Sequence, residues 1–82
     1  MSGSLTVHVL DGDQNPVSGM KVYLNFPNFM LFGGHRESYT DDDGIAEFDE
    51  VPTGTVEVYV DGDLQLEVGV GGGEHEDVTV TI

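Results

Sequence analysis

Apolar and polar residues alternate with a period of two along most of the chain. That spacing is the mark of strands with one buried face and one wet face. Leu5, Val7 and Val9 share one parity, with Thr6, His8 and Leu10 on the other. Val22, Leu24 and Phe26 alternate with Lys21, Tyr23 and Asn25 until Pro27 removes a backbone donor and ends the run. A short polar strand is expected from Arg36 to Thr40. Ala46 and Phe48 then alternate with Ile45, Glu47 and Asp49, and Val56, Val58 and Val60 with Thr55, Glu57 and Tyr59. Leu64, Leu66, Val68 and Val70 make a further strand, and Val78, Val80 and Ile82 the last.

Turn chemistry separates these runs. Asp11-Gly12-Asp13-Gln14-Asn15-Pro16 is a dense turn cluster, and Gly71-Gly72-Gly73 is a break. Asp61-Gly62 is a two-residue hairpin signal. Asp-Gly-Asp occurs at residues 11–13 and again at 61–63, and both copies read as turns rather than as an internal repeat. Strands at intervals of about 8–12 residues predict a sandwich or barrel. The chain is therefore expected to be all-β, a small antiparallel sandwich of about seven strands. Its apolar faces would meet at a layer spacing of about 10 Å. No helix-period segment competes.

With 82 residues, one domain spanning 1–82 is expected. Such a chain buries only about 60–65% of its unfolded surface. Its net stability is expected to be modest, about 3–5 kcal/mol. There is no cysteine, so no disulfide assists. Sixteen acids face two bases, Lys21 and Arg36, for a formal net charge of -14. A surface so anionic repels nucleic-acid phosphates and anionic membrane surfaces. Self-repulsion also works against the compact state at low salt. The acids serve either adaptation to high salt, where the screening length falls to about 3 Å at 1 M, or divalent cations. They are spread over every strand and loop, which favours salt adaptation and a halophilic origin. Met1-Ser2-Gly3-Ser4 lacks the pattern of a leader, and no run approaches the roughly 20 apolar residues that span a bilayer. The chain starts close to a strand and ends inside one, so it is expected to be a module excised from a longer protein.

Asp11-Gly12-Asp13-Gln14-Asn15-Pro16-Val17-Ser18-Gly19-Met20-Lys21-Val22-Tyr23-Leu24 resembles the opening of carboxypeptidase regulatory-like domains: an Asp/Gly turn, Pro-Val-x-Gly-x-x-Val, then a strand. The segments 40–48 and 51–58 are similar to that family's second signature in order and spacing. The resemblance covers most of residues 5–70 and extends to the superfamily with transthyretin-like and Cna-B-like modules. It implies a seven-stranded Greek-key sandwich of prealbumin-like type, in non-catalytic modules of secreted or surface proteins. Gly19 and Gly54 fall where such turns need freedom in φ, and Pro16 and Pro52 pre-set φ beside them. Cna-B-like modules often carry a Lys–Asn isopeptide bond. Here Lys21 is expected to face outward, the first strand ends Leu10-Asp11, and the final strand holds no Asn, so that bond is not expected.

Candidate chemistry is sparse. No Ser lies on an elbow motif, and His8, His35 and His75 are far apart in sequence, so they read as surface histidines. Residues 74–77 could meet His8 if the first and last strands are neighbours, but the spacing matches no transition-metal signature. Asp11, Asp13 and Asn15 match the start of an EF-hand loop, yet Pro16 stands where that loop needs Gly and Val22 where it needs Glu. Asp41, Asp42 and Asp43 offer hard oxygen ligands on a turn, a candidate calcium site, with solvated turn acids as the plainer reading. Acids strewn over a small sandwich do not form the converging pair that glycoside hydrolysis needs.

The segment Phe26-Pro27-Asn28-Phe29-Met30-Leu31-Phe32-Gly33-Gly34 is apolar where loops are usually polar, and it holds three of the four Phe residues. One reading is a lid over the open end of the sandwich. The other is an exposed docking patch of Phe29, Met30, Leu31 and Phe32, with His35 and Arg36 beside it. The functional expectation is a non-catalytic structural or interaction module of a larger secreted or cell-surface protein. Its partners would be neighbouring domains or another protein, and it needs no cofactor. The alternative is a ligand-binding module, for carbohydrate or calcium, using the 27–36 loop or the 41–43 turn.

Overall fold

The computed structural model of the protein describes residues 2–26 and 35–82, Ser2 by its backbone alone. Seven strands lie within that range: β1 (Ser2–Leu10), β2 (Lys21–Asn25), β3 (His35–Tyr39), β4 (Ile45–Pro52), β5 (Gly54–Val60), β6 (Asp63–Val70) and β7 (His75–Thr81). They form two sheets, one in the order β4-β1-β7 and the other β3-β2-β5-β6. Only β2–β3 and β5–β6 are sequence neighbours paired in one sheet. The chain crosses between layers after β1, β3, β4 and β6, giving a Greek-key sandwich of prealbumin-like type.

One pairing departs from the antiparallel expectation. β7 runs parallel to β1, from Ser4 opposite His75 to Leu10 opposite Thr81. The crossing after β6 returns the chain to the far side of the first sheet, where β7 enters alongside β1 in the same direction. Every other pairing is antiparallel.

The predicted parities hold along β1, β2, β4 and β5, but Leu64 and Ile82, expected on the apolar side, are exposed. A register shift between Val58 and Tyr59 sets Leu64 opposite the outward Tyr59. Leu5, Val7 and Val9 are buried, as are Val22, Leu24 and Phe26, Ala46 and Phe48, and Val56, Val58 and Val60. Together with Val51, Val70 and Val80 they make one core between the sheets. At about 1.5–3 kcal/mol for each fully buried aliphatic or aromatic side chain, this layer is what opposes chain entropy and the repulsion among the acids. Edge strand β7 carries Glu76 on the core parity, half-buried. An inward charge on an edge strand discourages pairing with another chain.

β4 is longer than its alternation predicted, because it contains a bulge. Gly3 pairs with Val51 and Leu5 with Phe48, so Asp49 and Glu50 together oppose Ser4. Glu50 takes a φ of 53° to do so. The extra residue restores parity, and Phe48 and Val51, three apart, both reach the core. At the β5–β6 turn, Asp61 (φ 53°) and Gly62 (φ 86°) form the predicted tight hairpin, with Val60 opposite Asp63.

Candidate functional site

Phe29, Met30, Leu31 and Phe32 lie outside the described residues. His35 and Arg36, expected beside them, start β3 and diverge. His35 pairs with Asn25 and Arg36 with Leu24, so the two sit on opposite parities. The His35 ring stacks on Tyr23, with centroids 5.5 Å apart and planes 18° from parallel. Arg36 reaches across the edge of the sandwich to the other sheet. Its Nη1 donates to the Asp49 carbonyl at 2.8 Å and its Nη2 to the Glu50 carbonyl at 3.1 Å. The guanidinium thus serves the two carbonyls of the β4 bulge.

The acidic turn at 41–43 has a sister. Asp41 Oδ1 accepts from the backbone N–H groups of Asp43 and Ile45 at 2.9 and 3.0 Å. Asp11 Oδ1 accepts from those of Asp13 and Asn15 at 2.8 and 3.0 Å. The fourth residue of each turn is left-handed, Gln14 at φ 69° and Gly44 at φ 73°. The 41–44 turn packs against the end of β1, where Val9 N donates to the Gly44 carbonyl at 2.8 Å. One carboxylate oxygen of the first Asp in each turn is therefore occupied by its own loop, as an Asx-turn requires. Among the described residues no group of three or more acids or histidines converges as metal ligands would.

The parallel register of β1 and β7 gathers a polar cluster on the outer face of the three-stranded sheet. Ser4 Oγ lies 2.6 Å from His75 Nδ1, and Thr6 Oγ1 lies 3.1 Å from His75 Nε2. Asp77 Oδ1 sits 3.5 Å from His75 Nε2 and 3.7 Å from His8 Nε2. Of residues 74–77, Asp77 meets His8, and His75 joins it together with Ser4 and Thr6. The order Ser–His–Asp resembles a hydrolytic triad only in composition. A triad needs a buried carboxylate that fixes the imidazole. The Asp77 side chain is 62% exposed, and His75 Nε2 is divided between Thr6 and Asp77. The cluster cross-links the first and last strands through weak, solvated contacts.

A different face carries the aromatic residues. On the outer side of the four-stranded sheet, Tyr23 pairs with Tyr59 across β2 and β5, their rings edge to face with centroids 5.8 Å apart. Lys21, Tyr23, Tyr59 and Gly62 line a depression of about 260 Å³. Gly62 lies at its edge, and a Cβ there would project into open space. Lys21 pairs with Tyr39, which is 61% exposed, and Tyr59 pairs with Leu64, 49% exposed. Lys21 Nζ lies 3.3 Å from Glu37 Oε2, as expected of an outward lysine. Asn25 Nδ2 donates to Glu57 Oε1 at 2.7 Å. Sequence reasoning passed over this face. The available signal was that Tyr23 and Tyr59 both fall on the wet parity of their strands, where aromatic rings need a reason to be.

No protein-family model matches the sequence, and no curated protein matches it. Solved structures do match by fold. The Bacillus anthracis TIE protein is similar over 98% of this chain and 16% of its own, with a TM-score of 0.80 and 22% identity. The major pilin subunit BcpA of Bacillus cereus is similar over 99% of this chain and 30% of its own, with a TM-score of 0.78 and 14% identity. The chain thus spans less than a third of either protein. At these identities the likeness is one of fold. It agrees with the seven-stranded sandwich described above.

Proposed function

We propose that this chain is a non-catalytic structural and interaction module of a larger secreted or cell-surface protein, related to carboxypeptidase regulatory-like domains. The observation that carries the reading is the parallel pairing of β1 with β7. It places the start of the first strand and the end of the last at opposite ends of the β1–β7 ladder, which runs from Ser4 and His75 to Leu10 and Thr81. Any chain joined to the two ends of the sandwich would leave from opposite ends, the geometry of a spacer. The fold likeness to a pilin subunit supports a surface location, as does the turn resemblance. The exposed, divided contacts of the Ser4–His75–Asp77 cluster support the absence of catalysis.

Two tandem copies joined by a short linker test the reading. Small-angle scattering should give a maximum dimension close to twice that of one copy. A pair folded side by side, with a dimension near that of one copy, would sink it. The acidic surface is read as adaptation to high salt. The sequence-based readings of a docking patch at residues 29–32 and a calcium turn at Asp41, Asp42 and Asp43 stay as secondary proposals. Substituting Phe29 or Phe32 by Ser tests the first, and calcium titration the second.

A further inference from the structure

We propose that the outer face of the four-stranded sheet docks a cationic polypeptide segment, with an arginine or lysine side chain of the partner lying against Tyr59 and Tyr23 above the Gly62 notch. This deepens the interaction-module reading and rests on it. Three observations point the same way. The tyrosine pair stands on a solvent-facing sheet surface with a depression of about 260 Å³ beside it, and the neighbouring Tyr39 and Leu64 are exposed. Aromatic rings of this kind anchor protein interfaces, and their faces attract Lys and Arg cations.

The charge around the rings is complementary to such a partner. Glu37 is opposite Tyr23, and Glu57 and Glu67 are opposite each other on the same face. Asp61 donates its backbone N–H to the Lys21 carbonyl at the rim. Lys21 is the lysine among these four acids, and Glu37 already holds it. The chain as a whole carries -14, so its field gathers cations and repels anions before contact. The His35 ring covers one face of Tyr23, which makes Tyr59 the principal seat for the partner's cation. A neutral saccharide could stack on the same rings but would gain nothing from the field. An anionic ligand would be opposed by it.

The test uses a hexa-arginine peptide titrated into the 82-residue chain at low and at physiological salt, followed by amide chemical shifts. Shifts should concentrate on β2, β5 and the 61–62 turn. Tyr59→Leu, which keeps the charge, should weaken binding roughly two- to thirtyfold, the span of a cation–π contact. Tyr59→Phe should restore most of it, and Glu47→Gln on the other sheet should change it little. Should Tyr59→Leu fail to fold, Tyr39→Leu at the exposed edge of the same face should weaken binding in the same direction, and parent-like binding by that variant would then overturn the proposal. The proposal is overturned if shifts spread evenly over both sheets, which is diffuse charge attraction alone. It is equally overturned if Tyr59→Leu binds as the parent does, or if maltohexaose or cellohexaose binds this face more tightly than the peptide. None of these outcomes alters the tandem-copy scattering, so the module reading fails or stands separately.

Discussion

Arg36 Nη2 donates to the carbonyl of Glu50 at 3.1 Å, and Glu50 is the left-handed residue of the β4 bulge. One side chain from the four-stranded sheet therefore holds the irregularity of the three-stranded one, with Nη1 on the adjoining Asp49 carbonyl. The contact is exposed, so its worth is limited. Arg36→Ala is expected to cost about 1 kcal/mol by urea denaturation. Arg36→Lys should recover little, because an ammonium cannot span two carbonyls as a planar fork does. A Lys variant as stable as the parent would show that the fork geometry contributes nothing.

The sister turns make a paired prediction. Gly44 and Gln14 hold the same left-handed position, but their surroundings differ. A Cβ at Gly44 would lie 2.7 Å from the Val9 carbonyl oxygen and 2.9 Å from Pro16 Cβ. Gly44→Ala should therefore destabilise by about 2 kcal/mol or more, from backbone strain plus the clash. Gln14→Gly should stay within about 0.5 kcal/mol of the parent, relief of strain offsetting added chain entropy. Thermal melts of the two variants decide it, and equal effects would contradict the packing described.

Thr40 is 5% exposed. Its hydroxyl donates to the Val17 carbonyl at 2.6 Å and accepts from Met20 N–H at 2.9 Å. Thr40→Val keeps the shape and strands both backbone groups, so a loss of about 2–3 kcal/mol is expected. Thr40→Ser keeps the hydroxyl and should retain most of the stability. If valine is tolerated as well as serine, the hydroxyl does not organise the 17–20 segment.

Charge gives the fourth prediction. With -14 on 82 residues, the melting temperature should climb as NaCl is raised toward about 1 M, because screening relieves self-repulsion. CaCl2 at matched ionic strength should do no more than NaCl if the Asp41–Asp43 turn is only a solvated Asx-turn. A larger rise with calcium, abolished by Asp43→Asn, would instead identify a cation site there. A melting temperature indifferent to NaCl would remove salt adaptation as the reason for the acids.

Much of the fold was legible because the core is built from parity. Leu5, Val7 and Val9, or Val56, Val58 and Val60, declare their buried side without help from the rest of the chain. The β4 bulge was not legible. Alternation breaks at Glu50, and nothing local shows that Glu50 will turn left-handed and return Val51 to the core. Thr40 read as the end of a polar strand, because its partners at Val17 and Met20 come from across the β1–β2 connection. The meeting of Ser4, His8, His75 and Asp77 depended on a register between the first and last strands that local pattern does not encode. The tyrosine face lay half in view. Each ring sat on a wet parity, but their adjacency follows from β2 pairing with β5.

The ladder between β1 and β7 has a mechanical side. Its rungs run crosswise to the line joining the two outer ends of those strands, from Ser4 and His75 to Leu10 and Thr81. Tension transmitted through flanking chain would slide one strand along the other and strain all the rungs together. They would not peel away singly, as they do in a hairpin tugged from its open end. A sandwich threaded in this way resists traction along these two strands better than its small size and lack of disulfides would lead one to expect.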